Sequence, residues 1–294
     1  MNNHRIQIKT STYTTYIYKL KKYVLPIIGD IELHQLSDNK IQEVISIWMQ
    51  RGLKSSTVHV LYQILKKTLK DAYEQQKMMY NPCQKIRLPK KQKVYAKAIT
   101  KQEQKNLESR AKSVPLYKGL PVLLSLNTGL RIGEISALRW SDIDLEQRII
   151  HVKNTFQRLI LSNKNSKTQL MLDTSKTESS DRIIPISLNL YKYLKKWKKK
   201  SSSEFVCSRK KEPSEPRMIT YYFHQIRNSC GLMNTHFHQL RHTFATRCIE
   251  SNGDIASVSK LLGHTSIKTT LDIYTDSLFE TQQQVIQKME ECKR

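Results

Sequence analysis

The chain has 294 residues, and its 50 Lys and Arg against 25 Asp and Glu give a formal net charge of +25 and a pI near 9.8. This excess is typical of proteins that bind a polyanion and is unusual for enzymes that act on small metabolites. The five cysteines show no C-x-x-C spacing and no apolar run reaches the length of a membrane span, which argues against a disulfide framework, a thiolate zinc site and a membrane protein and favours the cytoplasm.

The first part of the chain is predicted to be a small helical domain. Apolar residues recur at helical spacing over 12–76, and Asp38 and Ser55 are residue types that start helices. Asn81-Pro82 predicts one further short helix, because proline is favoured in the first helical turn.

A lysine-rich segment, 88–97, follows and loses the helical periodicity, as a solvated linker would. We therefore predict a first domain over 1–93 and a second domain over 94–294. Both carry a positive excess, with 17 basic and 6 acidic side chains in the first and 33 and 19 in the second. Both domains are expected to contact the polyanion.

The second part is predicted to be mainly helical with a small antiparallel β-sheet. Thr100 and Glu103 have the spacing of a capping box, and an apolar helix over 116–127 ends at a Thr-Gly-Leu turn. Three short β-prone runs then follow before the helices return. We expect these runs, 149–152, 168–173 and 182–186, to form one three-stranded sheet.

Arg131 is the first candidate for a functional residue. It follows the Gly129 turn and opens a helix, where backbone N–H groups already favour an anion. Taken alone, the residue is better explained as a surface arginine that pairs with Glu134 three positions later.

Lys176 lies in a polar turn between two predicted strands. An ammonium group at a hairpin tip can approach a leaving oxygen and protonate it. Lys164 and Lys167 lie nearby, so a solvated turn lysine is the plainer interpretation of this residue alone.

His238 and Arg241 lie three residues apart, so both can reach one phosphate from one helix face. His238 and His242 also have the i, i+4 spacing of a zinc protease. The position of the catalytic glutamate is Gln239 here, which argues against that metal site.

His264 in Leu-Leu-Gly-His and Tyr274 complete the set. A histidine after a helix-ending glycine is usually structural, and a tyrosine usually packs with a hydrogen-bonded hydroxyl. Together with two arginines, however, these residues suit the attack of a phenol on a phosphodiester, because guanidinium groups stabilise the developing phosphate charge.

The Thr-Gly-Leu-Arg, His-x-x-Arg, Leu-Leu-Gly-His and Tyr blocks, in this order, resemble those of the tyrosine recombinases, or phage-type integrases. The resemblance is strongest over 128–275. It implies a mainly α-helical fold with a small antiparallel β-sheet and two domains that form a clamp around DNA. It also implies that the first domain is a SAM-like core-binding domain and the second the catalytic domain.

The resemblance further implies a role for each candidate residue. Tyr274 would be the nucleophile, Lys176 the general acid and Glu134 a supporting residue. The catalytic Arg-His-Arg core and second histidine would be Arg131, His238, Arg241 and His264. The implied reaction cuts and rejoins double-stranded DNA through a 3′-phosphotyrosyl intermediate without metal or cofactor. The implied use is the integration or excision of a mobile element. The implied assembly is a homotetramer on two core sites, aided by accessory directionality or DNA-bending proteins.

Two other functions are compatible with parts of this pattern. A type IB topoisomerase would use the same residues to relax supercoiled DNA. A non-catalytic, sequence-specific DNA-binding protein would need only the charge and the helices, and the joint presence of the six catalytic candidates argues against it.

Overall fold

The computed structural model describes residues 10–91, 97–160, 168–174, 181–274 and 289–290, with the backbone alone at 160, 174 and 272–274. The chain divides into two units. One comprises 1–94 with 159–169, and the other comprises 95–158 with 170–294. Within the described residues, none of the helices combines the length and apolarity that crossing a membrane requires.

The first unit is helical. Its helices are α1 (Thr10–Lys19), α2 (Leu25–Ile28), α3 (Asp38–Gln50) and α4 (Ser55–Glu74), with a π-helical turn over Leu20–Val24 and a 3-10 turn over Leu33–Gln35. The apolar stripes of α3 and α4 supply its core, in which Trp48 and Leu61 are fully buried. The indole N–H of Trp48 donates to the Tyr23 carbonyl at 2.8 Å and so connects α3 to the π-helical turn.

Three local predictions for this unit differ from the structure. The N-cap of α4 is Lys54, which forms no side-chain capping bond, so Ser55 is the first helical residue and not the cap. The residue that caps α3 is Ser37, whose hydroxyl accepts from the Lys40 N–H at 3.3 Å, so Asp38 is the first helical residue. The short helix predicted at Asn81-Pro82 was wrong. The Asn81 side chain accepts from the Cys83 N–H at 3.0 Å, and this local turn competes with a helix start.

The second unit is built around α6, which is apolar on nearly all sides and contacts α5, α8, α9 and α10. Its helices are α5 (Lys101–Ser113), α6 (Leu116–Thr128), α7 (Ile132–Ala137), α8 (Leu188–Lys198), α9 (Pro216–Asn228), α10 (Phe237–Glu250), α11 (Ile255–Leu262) and α12 (Ile267–Tyr274). The predicted capping box is present: Thr100 Oγ1 accepts from the Glu103 N–H, and the Glu103 carboxylate accepts from the Thr100 N–H.

The strands form two sheets instead of the single three-stranded sheet predicted. They are β1 (Ile143–Asp144), β2 (Ile149–Val152), β3 (Asn154–Ile160), β4 (Thr168–Thr174) and β5 (Arg182–Pro185). One antiparallel sheet has the order β1-β2-β5, and β3 pairs with β4 in the other.

The prediction missed β3 because its apolar residues do not alternate. Among the β3 side chains that the structure describes, the buried ones are Phe156 and Leu159, three residues apart instead of two. The run 168–173 therefore had no recognised partner next to it in the sequence. In β5 the alternation is regular, with Arg182 and Ile184 both buried. Arg182 therefore lies on the core side of its sheet.

Candidate active site

The turn between α6 and α7 places Arg131. Gly129 ends α6 with φ +66°, a left-handed conformation that favours glycine, and Arg131 is the N-cap of α7. A Cβ at Gly129 would lie 2.6 Å from Phe244 Cδ1 and 2.8 Å from Leu262 Cδ2. Glycine is therefore required here both by conformation and by the close approach of α10 and α11.

The carboxylate of Glu134 lies between two arginines. Its Oε1 accepts from Arg131 Nη1 at 2.8 Å and from Arg182 Nη1 at 3.1 Å. Its Oε2 accepts from the Arg131 backbone N–H at 2.8 Å and from Arg182 Nη2 at 2.9 Å. Burial would raise the pKa of Glu134, but the hydrogen bonds and charge of Arg182, with those of Arg131, lower it below its usual value. The group is thus a buried carboxylate that orients Arg131.

The C-terminal end of α11 binds three guanidinium groups through three consecutive carbonyl oxygens. Arg182 Nε donates to Leu261 O at 2.7 Å, Arg241 Nη2 to Leu262 O at 2.5 Å, and Arg131 Nη2 to Gly263 O at 3.0 Å. Carbonyl groups at a helix end lack partners within the helix and carry partial negative charge, so they suit cations. This turn fixes the relative positions of the three arginines.

Arg241 is the most deeply buried of the predicted site residues whose side chains the structure describes, with 2% of its surface exposed. Its Nη1 donates to Gly129 O at 2.7 Å, which connects α10 to the turn before Arg131. Burial, followed by the positive charge of Arg131, lowers its pKa to about 9. A buried cation whose hydrogen-bond acceptors are neutral carbonyl oxygens favours the binding of an anion nearby.

His238 lies in the first turn of α10, and its ring is perpendicular to that of His242 with the centroids 4.8 Å apart. His238 remains exposed to solvent, and the ring of His242 packs against it. Partial desolvation of the ring, followed by the charges of His242 and the nearby arginines, lowers its pKa to about 4. At neutral pH the ring is uncharged and can accept a proton.

His264 follows Gly263, whose φ of +64° ends α11. Its Nδ1 is 2.9 Å from the hydroxyl of Thr270, a fully buried residue of α12. Burial, and then the charges of Arg241 and Arg131, lower its pKa to about 4. When the Thr270 hydroxyl donates to Nδ1, the ring proton is on Nε2, which can then donate to an anion.

An open cleft of about 680 Å³ lies over these groups. Arg131, His238 and His264 line it together with β3 residues, among them Thr155 and Arg158. Arg158 Nε is 2.7 Å from Glu215 Oε1 in an ion pair at this cleft. Basic and imidazole groups on the wall of one cleft form a site suited to phosphate.

The structure therefore brings five of the predicted site residues together at and beneath one cleft of the second unit: Arg131, Glu134, His238, Arg241 and His264. Tyr274 is the last residue of α12, which packs against α10 and α11. The structure describes only the backbone of Tyr274. Lys176 lies outside the described residues. Among the described residues, no group of three or more His, Cys, Asp and Glu is placed to hold a metal ion.

Sequence reasoning missed three contributors to the site. Arg182 and Thr270 bind predicted site residues from strand β5 and helix α12, and the β3 strand forms a wall of the cleft. The available signal for Arg182 was its place in a predicted strand: it begins the strand and falls at a position that the alternation predicts to be buried. The partner of Arg182, Glu134, is 48 residues away, and no local pattern identifies such a pair.

Comparisons with known proteins agree with this architecture. Residues 87–281 match the model of the phage integrase family, and residues 1–49 match that of the phage integrase N-terminal SAM-like domain. The tyrosine recombinase XerC-like protein of Caldanaerobacter subterraneus is 27% identical, over 92% of this chain and 75% of the relative. The ICEBs1 integrase of Bacillus subtilis is 24% identical, over 97% of this chain and 79% of the relative.

Two solved structures share the fold. The Tn1549 transposon integrase in complex with a circular intermediate DNA has a TM-score of 0.82 at 19% identity, covering 98% of this chain and 96% of that one. A lambda integrase dimer bound to a COC′ core site has a TM-score of 0.66 at 22% identity, covering 89% and 90%. Because the family model matches most of the chain and the fold agrees, the chain belongs to the phage integrase family, the tyrosine-type site-specific DNA recombinases.

Proposed function

We propose that the enzyme integrates and excises a mobile DNA element by cutting and rejoining double-stranded DNA through a 3′-phosphotyrosyl intermediate. The observation that carries this proposal is the attachment of Arg131, Arg241 and Arg182 to one helix end, beside two uncharged histidines. The ICEBs1 and Tn1549 relatives are integrases by name, which supports the biological use.

The chemistry assigns one role to each group. The Tyr274 oxygen forms a bond to the scissile phosphorus while the bond from phosphorus to the 5′ oxygen breaks. His238 accepts the tyrosine proton, and Lys176 gives a proton to the departing 5′ oxygen. Arg131, Arg241 and His264 bind the non-bridging oxygens, on which negative charge builds. The reverse reaction with a second 5′-hydroxyl rejoins the strands.

The arginine geometry supports these roles. Arg131 uses one N–H for Glu134 and one for Gly263 among the described acceptors, and a guanidinium carries five. Three N–H groups of Arg131 are then available for phosphate oxygens. The neutral His238 is in the protonation state that a proton acceptor needs at neutral pH.

Partners follow from this reaction. The substrate is double-stranded DNA with specific core sites, and we propose a homotetramer that joins two sites, as lambda integrase forms a tetramer on a Holliday junction. Accessory directionality or DNA-bending proteins are part of the proposal. The clamp of the two predicted domains, 1–93 and 94–294, around DNA is likewise proposed, on the positive charge of both.

The decisive test is Tyr274→Phe, which removes one oxygen and no charge. Nicked duplexes from the ends of the DNA element that encodes the chain serve as suicide substrates. We expect the wild-type enzyme to form an adduct that resists denaturation and leaves a free 5′-hydroxyl, and the variant to bind the same DNA without forming the adduct.

Tyr221→Phe and Tyr222→Phe are matched controls on α9 and should retain the adduct. An adduct that persists in Tyr274→Phe, or disappears in either control, would refute the assigned nucleophile. Relaxation of a supercoiled plasmid that lacks the element ends, as fast as cleavage of those ends, would favour a type IB topoisomerase instead.

A further inference from the structure

Arg182 is buried among the groups that hold the active-site arginines. It is the first residue of β5 and pairs in register with Val152 of β2, and 8% of its surface is exposed. All three of its guanidine nitrogens donate hydrogen bonds within the site: Nε to Leu261 O, and Nη1 and Nη2 to the two oxygens of Glu134. Arg182 is therefore engaged inside the protein and does not itself approach DNA.

One of these acceptors, Glu134, also determines the position of Arg131. Arg131 donates to Glu134 through both its backbone and its side chain, and to Gly263 O in the turn that follows Leu261. Arg182 thus binds both of the structures that hold Arg131: the carboxylate and the end of α11. Its planar, bidentate contact fixes the plane of that carboxylate, which a single ammonium cannot do.

Charge balance makes this arrangement sensitive to Arg182. Glu134 is 5% exposed, and its burial opposes ionisation, while the bonds from Arg182 favour it. Without the bidentate contact, Arg131 would be the main partner that neutralises the buried negative charge of Glu134. The Arg131 side chain would then turn toward Glu134 and away from the cleft.

We infer that Arg182 is a positioning residue that aims Arg131 at the scissile phosphate, a role that rests on the proposed function. Arg182 touches no substrate in this scheme. Its effect passes through Glu134 and the Leu261–Gly263 turn, so a change at Arg182 should imitate a defect of Arg131.

The test compares Arg182→Lys with Arg131→Lys in adduct formation on the nicked duplex. Arg182→Lys keeps a positive charge beside Glu134 but loses the planar fork. We expect cleavage to slow by about 10-fold to 100-fold, as a misplacement of about 1 Å does, while DNA affinity stays within about 3-fold of wild type. In the double variant, Arg182→Lys should add little to the loss caused by Arg131→Lys, because both act through one contact.

A second measurement distinguishes misplacement of Arg131 from a decrease in the fraction of folded protein. A methylphosphonate at the mapped cleavage position lacks the anionic oxygen that Arg131 would neutralise. The ratio of cleavage on methylphosphonate to cleavage on phosphate should rise in Arg131→Lys and, in the same direction, in Arg182→Lys. Because both rates come from one preparation, the ratio does not depend on the fraction of folded protein.

Arg247→Lys is the matched control. Arg247 also binds a glutamate, Glu250, and a backbone carbonyl, that of Ile99, but it does not line the cleft. It should leave the methylphosphonate ratio unchanged. Two results would overturn the inference. One is a methylphosphonate-to-phosphate cleavage ratio in Arg182→Lys equal to that of the wild type. The other is a double variant whose fall in cleavage rate equals the product of the falls in the two single variants. Absence of any adduct with the wild-type enzyme would instead refute the proposed function.

Discussion

The Nδ1 atom of His264 and the hydroxyl of Thr270 are 2.9 Å apart and connect the end of α11 to α12. Thr270 is fully buried and lies four residues, or about one helical turn, before Tyr274. A single hydrogen bond therefore joins a proposed phosphate ligand to the helix that ends at the proposed nucleophile. The bond orients the histidine ring and, at the same time, restrains the middle of α12.

Thr270→Val tests this connection, because valine has nearly the same shape and lacks the hydroxyl. We expect adduct formation to slow by about 10-fold, since both His264 and α12 lose their shared restraint. The free energy of unfolding should fall by about 1 kcal/mol, the usual net value of one hydrogen bond. Cleavage of the nicked duplex and thermal unfolding are the measurements.

Thr220→Val supplies the control for this experiment. The Thr220 hydroxyl donates to Pro216 O at 2.9 Å within its own helix, α9, so its loss should cost stability without slowing cleavage. If Thr270→Val cleaved DNA at the wild-type rate, the hydroxyl would have no part in positioning the site.

Arg131→Lys should separate binding of DNA from its cleavage. Lysine preserves the charge but cannot donate to Glu134, to Gly263 O and to a phosphate with one planar group. We expect the rate of adduct formation to fall by about 100-fold to 1,000-fold, as for loss of one donor to an oxyanion. DNA affinity, measured by gel shift on the same duplex, should change little.

Near-normal cleavage by this variant would return Arg131 to the role of a surface residue paired with Glu134. The side chain of Arg131 is 37% exposed and forms that ion pair, so the structure is compatible with either role and the cleavage rate decides between them.

The parts of this site that could be predicted are those written in short segments. The Gly129 turn, the start of α7 after it and the capping box at Thr100 all depend on residues a few positions apart. Local backbone preferences are visible in a sequence because the interacting groups are neighbours in it.

The parts that could not be predicted depend on distant partners. Arg182 meets Glu134 across 48 positions and Leu261 across 79, and Arg131 meets Gly263 across 132. The strand β3 was missed for a related reason, because its pairing with β4 and not an internal alternation defines it. The motif order predicted a set of site residues, while the way in which the end of α11 binds three arginines could be seen only in the fold.

Acidification should destabilise the DNA-free enzyme through His264. Its pKa in the folded protein is about 4, and an unfolded histidine has its usual value near 6.5. Between these values the unfolded chain binds a proton that the folded site excludes, so stability is highest above about pH 6.5 and is lost as the pH falls toward 4. The slope cannot exceed about 1.36 kcal/mol per pH unit for one histidine.

His264→Asn should weaken this dependence, because asparagine keeps a polar group near Thr270 and does not titrate. Thermal unfolding of both proteins from pH 7 to pH 4 measures the difference. His238, whose pKa is lowered in the same direction, is present in both proteins and so cancels from the comparison. Equal losses of stability in the two proteins would assign the acid sensitivity to other groups.

Gly129→Ala should damage both the fold and the site. Alanine in the left-handed conformation costs about 1–2 kcal/mol, and its Cβ would also meet Phe244 and Leu262 at less than 3 Å. The Gly129 carbonyl accepts from Arg241, so the shift that relieves this contact would move a proposed phosphate ligand. We expect a lower unfolding temperature and, in the fraction that stays folded, slower adduct formation.

Gly231→Ala is the matched control, because Gly231 has φ +75° with nothing within 4 Å of an added Cβ. It should lose stability from backbone strain alone and cleave DNA normally, whereas equal cleavage by both variants would show that the Gly129 turn does not position Arg241.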